Sequence, residues 1–195
     1  MSAQYVLWLG WLVSAVAWAL AWALWGNPKK SKSTKLDYAN RAALTVGIIL
    51  LFEIHTGILE RYHWLWRTSE STAWFFVLIA YLGFALAWWS HIALGHKARR
   101  VVVQTGPYRI VRHPMFLGII IAAFAHAFMR GTIDVMLGAI IFTLGWYWRA
   151  QVEEETLRRE LGAAAYDAYA RKTAMLVPFI WFAPFRVGAP GRGGE

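Results

Sequence analysis

The sequence predicts an all-α, polytopic membrane protein with about five transmembrane helices, the last two a short helical hairpin, followed by a C-terminal amphipathic cytosolic helix. Three observations lead there: long runs without charge, basic residues that alternate in number between successive connections, and a charged but helix-patterned segment after Trp148. The chain has 195 residues, 58% of them hydrophobic, and a formal charge of +9.

From Tyr5 to Trp25 no side chain is charged. At 1.5 Å per residue such a run crosses a hydrocarbon core of about 30 Å. No basic residue precedes it and it exceeds the apolar length of a leader, so it reads as a retained span and not a signal peptide. Residues 39–59 and 73–94 are two further spans, the first interrupted by Arg41, Glu53 and His55. The runs 115–129 and 135–148 are shorter and are separated by Arg130, Gly131 and Asp134. They are either two tilted spans or a hairpin dipping into the bilayer, and either option returns the chain to the side it left.

Lys29, Lys30, Lys32, Lys35 and Arg41 follow the first span, and only Arg61 and Arg67 the second. Lys97, Arg99, Arg100, Arg109 and Arg112 follow the third, Arg130 alone the fourth, and seven basic residues close the chain. That alternation places the N-terminus outside and the C-terminus in the cytoplasm, in an inner or endoplasmic-type membrane. The positive charge then reflects topology and contact with anionic lipid, which argues against nucleic acid as a partner. Without cysteine there is no disulfide and no thiolate chemistry. Residues 1–94 read as an N-terminal unit of three transmembrane helices. Residues 95–182 read as a core of loop, hairpin and C-terminal helix, and 183–195 as a disordered tail. The Lys-Ser-rich stretch 27–35 reads as a solvated loop.

Two constellations carry chemistry. In Arg112-His113-Pro114, proline suits a first helical position and holds His113 extended, so a helix starts at Pro114. Its unpaired N–H groups and positive dipole end suit a carboxylate or phosphate, and Arg112 adds a full charge beside them. The competing reading is a snorkelling arginine at a membrane boundary. The second constellation runs from Arg149 through Glu153, Glu154 and Glu155 to Leu161. Arg149 and Glu153 share a face, whereas Glu153 and Glu154 point about 100° apart, so at most one aims into a pocket. A carboxylate there suits an ammonium group, and the arginine an acidic group on a second ligand. The competing reading is a surface helix with one weak salt bridge.

Tyr166, Tyr169, Arg171 and Lys172 read as anchors of a helix along the interface. Glu53, His55 and His126 are functional candidates by the cost of placing them in a membrane, or pair among the spans. Trp11, Trp18, Trp22 and Trp25 form one helical stripe for packing or lipid contact. The six histidines lack the paired spacing of a carboxylate-histidine metal site, and no metal is expected.

Gly106-Pro107-Tyr108, Arg112-His113-Pro114-Met115-Phe116-x-Gly118, Arg149, Glu153-Glu154-x-x-Leu157, Leu161-Gly162, Tyr166, Tyr169 and Pro178, in this order and spacing, resemble the isoprenylcysteine carboxyl methyltransferase family and its phospholipid methyltransferase relatives. The resemblance covers about 95–178. It implies an integral membrane methyltransferase that uses S-adenosyl-L-methionine bound on the cytosolic side and a lipidic acceptor entering from the bilayer. It implies that Arg100, Val101, Val102, Val103, Tyr108, His113, Pro114, Met115 and Phe116 line the cofactor. Glu153 resembles the family's cofactor-binding carboxylate and Arg149 its substrate-binding arginine, with Arg112 and Glu154 completing the catalytic set. A carboxylate acceptor is a nucleophile as it stands, whereas an amine headgroup needs a base, for which Glu154 and His113 are the two choices. Phe116 stands where the family's Arg-His-Pro-x-Tyr carries tyrosine, and the loop 95–106 is shorter than in many relatives. A non-enzymatic lipid- or partner-binding protein of the same fold, or a sterol-reductase-like enzyme using NADPH, are the alternatives.

Overall fold

The computed structural model describes residues 2–25, 35–52, 64–95 and 101–178. Within them the chain forms helices α1 (Ala3–Trp25), α2 (Lys35–Leu51), α3 (Glu70–Leu94), α4 (Pro114–Arg130), α5 (Ile133–Leu161) and α6 (Ala163–Ala170), with a 3-10 turn at Gly106–Arg109. Glu53, His55, His96, residues 97–100 with Lys97, Arg99 and Arg100, most of the stretch 27–35 and the tail 183–195 lie outside the described residues.

Small residues set the helix packing. On α3, Ala80, Gly83 and Ala87 are buried against Gly118 and Ala122 of the antiparallel α4. A Cβ added at Gly83 would stand 2.5 Å from the Gly118 carbonyl oxygen, so the two backbones touch. Gly47 meets Phe142, and Gly138 meets Leu50 and Leu51, so α2 lies equally close to α5. α1 runs alongside α3, with Gly10 against Phe84 and Tyr81, the Tyr81 hydroxyl donating to the Val6 carbonyl at 2.9 Å, and Trp11 and Trp18 packing on Phe84 and Trp88.

α4 and α5 form a tight hairpin. Gly131, at φ 67°, ends α4 in the left-handed conformation that glycine tolerates best. The Leu65 N–H bonds to its carbonyl at 2.8 Å, and the Trp66 indole N–H donates to the Phe128 carbonyl at 2.9 Å. The segment before α3 thereby caps the hairpin turn.

The expectation of five transmembrane helices is corrected. Among the described residues only two helices, over Ala3–Ala21 and Glu70–Leu94, are long and apolar enough to cross a bilayer. α2 is apolar only over Asn40–Leu51, and α4 has 17 residues and ends on Arg130. α5 is long, but Asp134 and Arg149 bound its apolar part and the remainder is charged. The two qualifying stretches are 22% and 33% buried inside the protein, and they expose Leu12, Leu20, Phe75, Leu78, Leu82 and Ile92. The C-terminal helix after Gly162 is α6, with eight residues.

Candidate active site

α5 has 29 residues, about 43 Å of helix, so its last third projects beyond the α4 hairpin. Against that projection lie the segment 101–113 and the first turn of α4. Gly162, at φ 91°, breaks the helix and α6 folds back, held by a bidentate bond from Arg158 to Asp167 at 2.9 Å. The chain after α6 returns along the entry to α4: Val111 pairs in parallel with Ala174, the Arg112 N–H bonds to the Ala174 carbonyl at 2.8 Å, and the His113 N–H bonds to the Met175 carbonyl at 3.1 Å.

Buried under this return lies an ionic cluster. Arg112 donates from Nε to Glu154 Oε1 at 2.6 Å and from Nη2 to Oε2 at 3.1 Å, a bidentate pair. Its Nη1 donates to the carbonyls of Ala170, at 3.0 Å, and Thr173. His113 Nε2 lies 3.2 Å from Glu154 Oε1, and the His113 ring stacks on Phe116 at 5.2 Å and 8°. Burial alone would push the Glu154 carboxyl up, but the hydrogen bonds from His113 and Arg112 and their charges outweigh it and hold the group below the ordinary carboxylate range.

Beside the cluster is a cavity of about 110 Å³. Val101, Val102, Val103, Tyr108, Arg112, His113, Met115, Phe116 and Glu153, all expected at the site, line it. Pro114 is buried at the helix start, and Arg100 is outside the described residues. Burial, and then the charge of Glu153, push the Tyr108 hydroxyl up, and burial with the charge of Glu154 does the same for Tyr166. Both phenols stay protonated and available as donors.

Three placements differ from expectation. Arg112 and Glu154 are committed to each other: four of the five Arg112 N–H groups are taken, so the pair closes the return segment onto α5 instead of offering a charge and a base to a ligand. Arg149 does not line the cavity; it sits half-exposed on α5, its guanidinium 4.0 Å from Glu153. Tyr166 and Tyr169, expected as membrane anchors, are buried and line the cavity, and the Tyr169 hydroxyl donates to the Tyr108 carbonyl at 2.7 Å. Leu94, Leu157 and Leu161 also line it without having been foreseen as site residues. The four-residue spacing of Glu153, Leu157 and Leu161 was the signal that put the two leucines there. His126 is fully buried among the edges of Trp8 and Phe52, apart from the cavity.

Residues 72–164, a little under half of the chain, match the family model for phospholipid methyltransferase. The chain is 31% identical over 150 residues to methanethiol S-methyltransferase 2 of Bradyrhizobium diazoefficiens, a match covering 64% of this chain. The chain spans 57% of the length of that relative. S-adenosyl-L-methionine is the methyl donor consistent with both likenesses.

Proposed function

We propose that the protein is a membrane-associated methyltransferase that moves the methyl group of S-adenosylmethionine to a lipid-related acceptor in the cavity between 101–116 and the end of α5. The observation that carries this reading is the position of Glu153. It is the carboxylate lining the cavity, opposite the first turn of α4, and both stand within the segment that matches the family. The lining fits the donor: Glu153 for its ammonium group, the N–H groups of Met115 and Phe116 for its carboxylate, and the apolar walls Val101–Val103, Leu157 and Leu161 for its remainder. The donor supplies an electrophilic methyl on a sulfonium. The protein orients two ligands and keeps water out.

Arg149 stands one turn from Glu153 toward the apolar run of α5, where it would hold an acidic group of an amphiphilic acceptor. Most basic residues near the described helix ends, among them Arg109, Arg158, Arg159, Arg171 and Lys172, gather at the site's end of the bundle, whereas Arg67 and Arg130 lie at the other. This asymmetry supports a cytoplasmic site.

Three acceptor chemistries follow from the relatives: the prenylcysteine carboxylate, the phospholipid amine and, from the methanethiol S-methyltransferase, a thiol. Purified protein incubated with methyl-labelled S-adenosylmethionine and prenylcysteine, phosphatidylethanolamine or methanethiol identifies the acceptor by the species that takes label. Equilibrium binding of S-adenosylmethionine against NADPH tests the class itself. Selective NADPH binding would replace the methyltransferase reading by a reductase.

A further inference from the structure

Resting on that reading, we propose that His113 is the general base of the site, held in its Nε2–H form by Glu154, and that the acceptor is a nucleophile that arrives carrying a proton, a thiol or an ammonium.

The argument starts from the backbone. His113 is the residue before α4, its N–H pinned to Met175, its ring fixed in plane against Phe116 and facing the cavity. Its Nε2 is spent on Glu154. Since Arg112 holds that carboxylate ionised, Glu154 can only accept, so the imidazole proton sits on Nε2 and the lone pair on Nδ1. Among the described residues Nδ1 has no hydrogen-bond partner, and it is not one of the unpaired atoms sealed from solvent.

The charged and titratable groups around His113 leave it this role. Glu154 of α5 is already bonded three times, and Glu153 faces the cavity where the donor's ammonium group is placed. Tyr108, Tyr166 and Tyr169, from the 3-10 turn and α6, are kept protonated by burial. Arg112 is engaged, so among the described residues the reacting group meets no uncommitted guanidinium in the cavity that would hold a carboxylate.

In the step, the acceptor's S–H or N–H bond breaks as its proton passes to Nδ1. The freed electron pair forms the new bond to the methyl carbon. The carbon–sulfonium bond breaks with its electrons returning to sulfur, which leaves as a neutral thioether. The imidazolium is stabilised by Glu154 and returns its proton to water. Glu154 is a positioning residue.

The test uses the full chain in detergent. His113→Gln should lower kcat toward methanethiol or phosphatidylethanolamine by about a hundredfold or more. With methanethiol the deficit should shrink as pH rises toward that thiol's own ionisation, and added imidazole should restore turnover; loss of packing alone would give neither. Nitrogen-15 spectra of histidine-labelled protein without donor, with His113 assigned through the variant, should show protonated Nε2 and bare Nδ1, and Glu154→Gln should mix the two forms. A proton on Nδ1, wild-type thiol or amine turnover in His113→Gln, or transfer to a carboxylate alone overturns the proposal. If no acceptor takes label, the methyltransferase reading fails by itself, and the spectrum still decides whether His113 is set up as a base.

Discussion

Glu153 and Glu154 are neighbours on α5, with the same side chain and each with an arginine in reach, yet they inhabit different regions. Glu154 turns into the protein, accepts three hydrogen bonds and is 6% exposed; Glu153 turns into the cavity, with Arg149 only at 4.0 Å. The rotation of about 100° between successive helical residues decides which carboxylate is fixed and which is available. A paired carboxylate in a sequence motif is thus two devices: one joins segments distant in the chain, the other waits for a ligand.

The largest effect that would break this contrast is Glu154→Ala. It strands the Arg112 guanidinium, 2% exposed as a side chain, without its counter-ion. Removing one partner of such a buried pair costs about 3–5 kcal/mol. The expected outcome is a strongly lowered unfolding midpoint, with early proteolysis of the return segment 171–178. A variant as stable as wild type would show that the cluster does not hold that segment.

Acid should act on the same residue without mutation. The folded pKa of Glu154 lies below its ordinary value of 4.5, so its contribution is complete above that pH and is lost as pH falls through the depressed value. Stability measured downward from pH 5 should fall, and Glu154→Gln should flatten that limb. An equal acid limb in both proteins would place the acid sensitivity elsewhere.

Much of this contrast was legible beforehand. Helix periodicity required that Glu153 and Glu154 diverge, and the Arg-His-Pro step located the start of α4. The internal partners of Arg112, Glu154 and the carbonyls of Ala170 and Thr173, went unforeseen because they stand 42 to 61 residues away and no local pattern announces them. Tyr166 and Tyr169 failed similarly: an aromatic pair on a short helix suits a membrane boundary and a cavity wall equally, and the turn at Gly162 decided between them. The count of spans failed because the described part of the 39–59 run is a short apolar helix, Asn40–Leu51, and because the hairpin helices, read as tilted spans or as a dip into the bilayer, are bounded by Arg130, Asp134 and Arg149.

A smaller effect should sharpen the comparison. Glu153→Gln keeps the shape and removes the charge, so S-adenosylmethionine affinity should fall by at least about 1.4 kcal/mol, tenfold, while the unfolding midpoint stays near wild type. Unchanged affinity in a folded variant would remove Glu153 from the donor site.

The smallest effect on stability is expected at Arg149. Its distance of 4.0 Å from Glu153 and its half-exposed side chain make this a surface ion pair worth only a few tenths of a kcal/mol. Arg149→Ala should therefore leave the midpoint almost unchanged, in contrast to any variant of Arg112. If Arg149 meets the acceptor, the same variant should raise KM for it and lower turnover while donor affinity holds. Lost donor affinity with intact acceptor binding would reverse the two roles, and would mean that the arginine serves the cavity by keeping the Glu153 carboxylate aimed into it.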